Sequence, residues 1–360
     1  MFYSRTYKFS LARITALWLG LCLTGTVGVG AETVSRATSR AAAAPAAAKR
    51  SAARAKASGA AKARARVARI RASRAHSARA LAEASTPRYR TDASGQIVPD
   101  IRAAAAIIYD PASGKVLWEE NSQDERSIAS ITKVMTAIVF LESATDLNQE
   151  VVIARADTLH ASTTYLKTND QIRLADLLHL LLLPSDNAAA RALARISPLG
   201  YDGFIARMNQ KAEDLGLDHT AYVDPSGLMS DNISSAYDMA RLIAFASEDD
   251  RIGPIMRTPE YSFRTAAPRS GRIITVHSTN QILRAGDVDV RGGKTGFISK
   301  AGYCLATLLK LPQGGPSLAV VVLGANSNLG RFWETRHLLS WLSARTQPLG
   351  LNTPAVAAAK

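Results

Sequence analysis

In SIASITKVMTA a serine stands three residues ahead of a lysine at the start of an apolar run, and one helical turn would put Ser130 and Lys133 on the same face. Among Ile131, Val134 and Met135 the lysine loses hydration, which disfavours its charged form and lets it accept a proton from a neighbouring hydroxyl. The pair reads as a nucleophile with its base. Alone it is a weak signal, because a serine at a helix start is usually an N-cap. Two triplets strengthen it. Ser185, Asp186 and Asn187 come 55 residues later, and Lys294, Thr295 and Gly296 come 109 residues beyond Ser185, after Gly292 and Gly293. Lys294 and Thr295 offer a cation and a hydroxyl to an anionic end group, and the glycines let a substrate backbone come close. The triplet S-D-N recurs at Ser230, Asp231 and Asn232. The first copy is the candidate because it makes a polar corner between two apolar segments, whereas DPSGLMSDNISS is ordinary turn chemistry.

One S-x-x-K, S-D-N and K-T-G in this order form the signature of active-site-serine penicillin-binding proteins and β-lactamases. With LLLPSDNAAARALA, MNQKAEDLGL, DPSGL and GGKTGFISKAGYCL, roughly residues 100–345 resemble the low-molecular-mass D-alanyl-D-alanine peptidases of family S11, and within them the penicillin-binding protein 7 type DD-endopeptidases. The resemblance implies a transpeptidase-like fold and an acyl-enzyme on Ser130. In that scheme Lys133 is the general base, Ser185 relays a proton to the leaving amine, and Asn187 holds a substrate amide. Lys294 keeps the cleft positive, Thr295 binds the terminal carboxylate beside Gly296, and the backbone N–H groups of Ser130 and Phe297 form the oxyanion hole. Peptidoglycan stem peptides would be the substrates and β-lactams covalent inhibitors, with no metal or cofactor. A short tail after Ala344, in place of a β-rich domain and anchor, favours the endopeptidase branch. Two rival readings are a β-lactamase, which in class A would need an E-x-x-L-N element where this chain reads AYVDPSGL, and a non-catalytic penicillin-sensing or wall-binding module.

The elements that must position these residues follow from periodicity. AAAAIIYD and KVLWEE read as two strands joined at a tight turn, and VRGGKTGF, AGYCLATLLK and SLAVVVLGA as adjacent strands near the other end. Between them lie helical patterns: SITKVMTAIVFLESA, then LADLLHLLLLPSDNAAARALARI broken at Pro184, then FIARMNQKAEDLGL and AYDMARLIAFASE. RFWETRHLLSWLSA closes as an amphipathic helix. The expected class is α+β, with an antiparallel sheet drawn from both ends and a helical subdomain carrying S-x-x-K and S-D-N.

The chain carries a net charge of +14, but residues 32–90 alone contribute +13, from 15 Lys and Arg against Glu32 and Glu83. Few large apolar side chains occur there, so an unfolded basic linker is expected over 32–98, ahead of a catalytic domain over 99–345 and a tail over 346–360. Residues 1–31 have the layout of a secretory signal: Arg5, Lys8 and Arg13, then ITALWLGLCLTGTVGVGA with Val29 and Ala31 before Glu32. An exported, soluble periplasmic enzyme is therefore expected, with an uncleaved anchor as the alternative. Export argues against nucleic acid as the partner of the basic segment and for an anionic envelope surface or wall polymer. Only Cys304 remains after cleavage, as a buried strand residue, and His160, His179 and His277 show no metal-ligand spacing.

Overall fold

The computed structural model describes residues 61–75, 78–79, 82, 85–144, 146–266, 271–312 and 315–346. The expected signal over 1–31, residues 32–60 of the expected linker and all of the expected tail but residue 346 therefore lie outside the described residues. The chain divides into two units, residues 1–72 and 73–360. Residues 61–75 are helical and exposed along their whole length, where composition predicts no regular structure. Alanine and arginine are strong helix formers, and here local propensity prevails without a packing face.

In the larger unit a five-stranded antiparallel sheet joins β1 (Ala105–Asp110), β2 (Lys115–Glu120), β3 (Asp289–Ile298), β4 (Gly302–Lys310) and β5 (Ser317–Ala325). Their order is β3-β4-β5-β1-β2, so strands from both ends of the sequence meet at β5 and β1, where Val321 pairs with Ile107. The expected α+β class and sheet are observed. Alternate residues serve two separate cores. Ile107, Ala319, Val321 and Leu323 face one, while Ile108, Leu318, Val320 and Val322 face the other. Burial on both faces explains why these strands read as unbroken apolar runs.

On the first face lie α1 (Lys133–Ser143), α2 (Leu174–Leu182), α3 (Asn187–Ile196), α4 (Gly200–Asp214) and α5 (Ala236–Glu248). Helix α5 packs on the sheet, and α1 is enclosed by α2, α3, α4 and α5, with every residue from Lys133 to Leu141 buried. A helix apolar all round can only sit inside a core. The other face is covered by α6 (Gly330–Thr346). A hairpin of Tyr89–Thr91 with Ile97–Pro99, placed in the linker by composition, packs there too: Trp341 Nε1 donates to the Ile97 carbonyl at 3.0 Å, and Val98 is buried. The folded body thus begins about ten residues before the expected boundary at 99. No helix among the described residues is long and apolar enough to cross a membrane.

Candidate active site

Ser130 does not lie in α1, as the helical spacing predicts, but in a 3₁₀ turn over Ala129–Thr132 that feeds directly into it. At three residues per turn the serine and lysine are eclipsed, and Lys133 Nζ lies 2.9 Å from Ser130 Oγ. The turn is forced. Ile128 N donates to the Asn232 carbonyl at 3.1 Å, and Ala129 then adopts φ +48°, the left-handed region that costs a non-glycine residue about 1 kcal/mol or more. Two glycines receive this strained segment. A Cβ on Gly227 would sit 2.0 Å from the Ala129 carbonyl oxygen, and one on Gly296 would sit 2.6 Å from that of Ile128.

The corner between α2 and α3 brings in the second triplet. Asp186 is the N-cap, accepting from Ala189 N at 3.0 Å and from Tyr165 N at 2.6 Å. Since Asp186 does the capping, Ser185, at φ +67°, is free to turn toward the cleft, where its Oγ accepts from Lys294 Nζ at 2.8 Å. Asn187 opens α3 and presents Oδ1 to Lys133 Nζ at 2.6 Å, while its Nδ2 donates to the Ala161 carbonyl at 2.8 Å, which fixes the amide's orientation.

The third triplet lies on β3, the edge strand facing the cleft. Thr295 Oγ1 is 2.6 Å from Thr279 Oγ1, and Lys294 Nζ also donates to the Thr295 carbonyl at 2.9 Å. Phe297 is half exposed and stacks on Tyr303 at 4.2 Å. Ser130, Ser185, Asn187, Thr295, Gly296 and Phe297 line one cleft of about 430 Å³, with Lys133 and Lys294 buried in its wall. Every residue singled out for chemistry is thus brought together. The second S-D-N copy is outside the cleft: Asp231 is exposed, but Asn232 is buried in the loop beneath Ser130.

Burial pulls the Lys133 ammonium down to about 7, against the opposing pull of the Asp224 and Asp186 carboxylates. Burial also holds Lys294 well below the usual lysine range, and the charges of Lys133 and Arg331 push it the same way. Arg331 is a residue that sequence reading missed. It projects from α6 into the cleft wall, its Nη1 donating to the carbonyls of Gly296 at 2.9 Å and Cys304 at 3.1 Å. Burial lowers its guanidinium to about 10, so it stays cationic at neutral pH and ties the K-T-G strand to the far face of the sheet. Nothing local in GRFWETRH distinguishes it from a surface arginine. Cys304 is buried in β4 as expected, and its thiol is pushed up to about 11 by burial, outside the range of a reactive thiolate.

This constellation has counterparts. The description of the S11 D-alanyl-D-alanine carboxypeptidases matches residues 92–327. The chain belongs to the S11 peptidase family. Among its S11 relatives, the D-alanyl-D-alanine endopeptidase of Escherichia coli is 31% identical over 68% of this chain and 78% of its own length, and that of Pseudomonas aeruginosa is 32% identical with the same coverage. The DD-transpeptidase of Streptomyces K15 superposes with a TM-score of 0.65 at 28% identity, covering 68% of this chain and 98% of that one. The transpeptidase-like architecture implied by the motifs is therefore the fold observed, and the chain is a serine-type D-alanyl-D-alanine peptidase of the penicillin-binding class.

Proposed function

We propose that this S11 peptidase cleaves D-alanyl cross-links in peptidoglycan through an acyl-enzyme on Ser130. The observation that carries the reading is the buried Lys133 amine, 2.9 Å from Ser130 Oγ and drawn down to about 7. In its neutral form Lys133 removes the hydroxyl proton as Ser130 Oγ attacks the D-alanyl carbonyl. The oxyanion is received by the backbone N–H groups of Ser130 and Phe297, and losing one such donor costs about 3 kcal/mol. On collapse the C–N bond breaks and the leaving amine takes a proton through Ser185, which Lys294 holds at 2.8 Å. Water then cleaves the ester and restores Ser130. Asn187 orients Lys133 and a substrate amide, while Thr295 receives the substrate's carboxylate beside Lys294, in a cleft kept positive by Arg331.

The choice of an amine on a neighbouring stem peptide, over a terminal D-alanine, is supported by the endopeptidase relatives. Three of them match at 31–32% identity over 78–80% of their lengths, whereas the matched carboxypeptidases of Escherichia coli are covered over only 61–63%. Defined cross-linked dimers and uncross-linked pentapeptide muropeptides, incubated separately with the enzyme and resolved by mass, test the choice. Dimers should fall to monomers with the pentapeptide intact. Loss of one D-alanine from the pentapeptide, with the dimers intact, would make the enzyme a carboxypeptidase.

Residues 1–31 act as the export signal in this reading, and the basic segment holds the enzyme on an anionic wall or envelope polymer. Lys62, Arg64, Arg66, Arg69, Arg71 and Arg74 are all exposed on the 61–75 helix, with no acidic residue among them. Co-sedimentation with isolated cell walls should be lost as salt rises from 50 to about 300 mM, and lost at low salt when the six are changed to glutamine. Retention by the glutamine variant would remove this role.

A further inference from the structure

Lys133 can serve as the base, the reading on which this inference rests, only if its lone pair points at Ser130. A neutral amine has two N–H bonds and one lone pair. Three oxygens surround Nζ: Ser130 Oγ at 2.9 Å, Asn187 Oδ1 at 2.6 Å and the Ser226 carbonyl oxygen. The last two can only accept. They therefore take the two hydrogens, and the lone pair falls toward the hydroxyl, the one neighbour with a proton to give. Asn187 Oδ1 is held in place by the other end of its amide. The Ser226 carbonyl belongs to a loop, and something must hold it as firmly.

Asp224 does this from inside its own turn. It is 5% exposed. Its Oδ1 accepts from Ser226 N at 3.2 Å, Gly227 N at 2.6 Å and Asn232 Nδ2 at 2.7 Å. Its Oδ2 accepts from Ser226 Oγ at 3.0 Å, Leu228 N at 3.2 Å and Met229 N at 3.3 Å. Six donors thus converge on one carboxylate, more than a neutral amide could satisfy, because an amide has only one acceptor oxygen. Asn232 closes the turn from its other side, its Oδ1 accepting from Val223 N at 3.0 Å. Thr136, one residue turn beyond Lys133 on α1, donates to the Pro225 carbonyl at 2.6 Å and so locks the loop to the helix that carries the lysine.

We infer that Asp224 is a positioning residue: its carboxylate sets the backbone of residues 225–227 so that the Ser226 carbonyl faces Lys133 Nζ and steers the amine's lone pair onto Ser130. Gly227 completes the device, since the same turn brings it against the strained Ala129 peptide. A simple charge effect would act in the opposite direction. The Asp224 and Asp186 carboxylates favour the protonated amine and Arg191 opposes them, while the Lys133 charge bears on Lys294. Neutralising Asp224 would free more of the base and quicken acylation, were charge its only contribution.

The test is the rate and final extent of labelling of the full chain by a fluorescent penicillin. Asp224→Asn should label to the same stoichiometry as the wild type but about 10- to 100-fold more slowly, the range expected for a misaimed reacting group. Combined with Lys133→Ala it should slow labelling no further than Lys133→Ala alone, because both changes remove one interaction. Asn232→Ala, which removes one of the six donors, should slow labelling in the same way by a smaller factor and keeps the test open if the Asp224 variant does not fold. An unchanged or faster rate overturns the inference. So does reduced stoichiometry with a normal rate in the reactive fraction, or a double variant slowed by the full product of the two effects. A wild-type rate in Lys133→Ala alone would instead remove the base reading, and this inference with it.

Discussion

Ser130→Ala is expected to leave a folded protein that neither cleaves a muropeptide nor takes up penicillin covalently. Ser130 Oγ is the one hydroxyl among the three oxygens around Lys133 Nζ, since Asn187 Oδ1 and the Ser226 carbonyl have no proton to give and cannot attack. Losing the nucleophile of a serine hydrolase costs on the order of a million-fold in kcat. Stability should change little, because Ser130 is half-buried at the cleft surface and its removal deletes a hydrogen bond worth about 1 kcal/mol. Intact mass after incubation with benzylpenicillin reads the covalent step, and a thermal melt reads the fold. A penicilloyl adduct on the variant would move the nucleophile to another residue.

Lys133→Ala should have the next largest effect. Loss of a general base slows a reaction by about 10² to 10⁴-fold, and the signature lies in the pH dependence. Only the neutral amine can take the proton, so wild-type acylation should rise with pH through about 7 and fall about tenfold for each unit below it. The variant should lose that acid limb. Its fold bears a separate cost, since Asn187 Oδ1 and the Ser226 carbonyl each lose a buried donor, about 1–3 kcal/mol apiece, offset in part because a charge-prone amine no longer has to be desolvated. Acylation rates from pH 5 to 9 decide the matter. An unchanged limb in Lys133→Ala would show that another group titrates there.

The sheet was legible because its inner strands are buried on both faces: AAIIYD and SLAVVVLGA are apolar at nearly every step. The buried α1 announced itself in the same way. The hairpin at Tyr89–Pro99 did not, because it buries only Val98 and Pro99 and its contacts run to residues as distant as His337 and Trp341, more than 240 positions away. The motif residues were legible as types at fixed spacings. What escaped was the support around them. Asp224 and Asn232 read as turn formers, and they are turn formers, but the turn they make lies under the serine. Arg331 reaches the K-T-G strand from the opposite face of the sheet, a relation that exists only after folding. The 3₁₀ geometry at Ser130 escaped because a period of 3.0 and one of 3.6 differ little over three residues.

The pairing of β1 with β5 also governs when activity can begin. Ile107 waits for Val321, so the sheet cannot close until almost all of the chain is present, and such long-range contacts make folding slow. The serine and lysine lie early in the sequence, yet the strand that faces them is anchored through β4 and β5 and by Arg331. A nascent or truncated chain ending before Ala325 has its nucleophile but no cleft around it. Hydrolytic competence therefore arrives late and all at once, when the last strand of the sheet is in place.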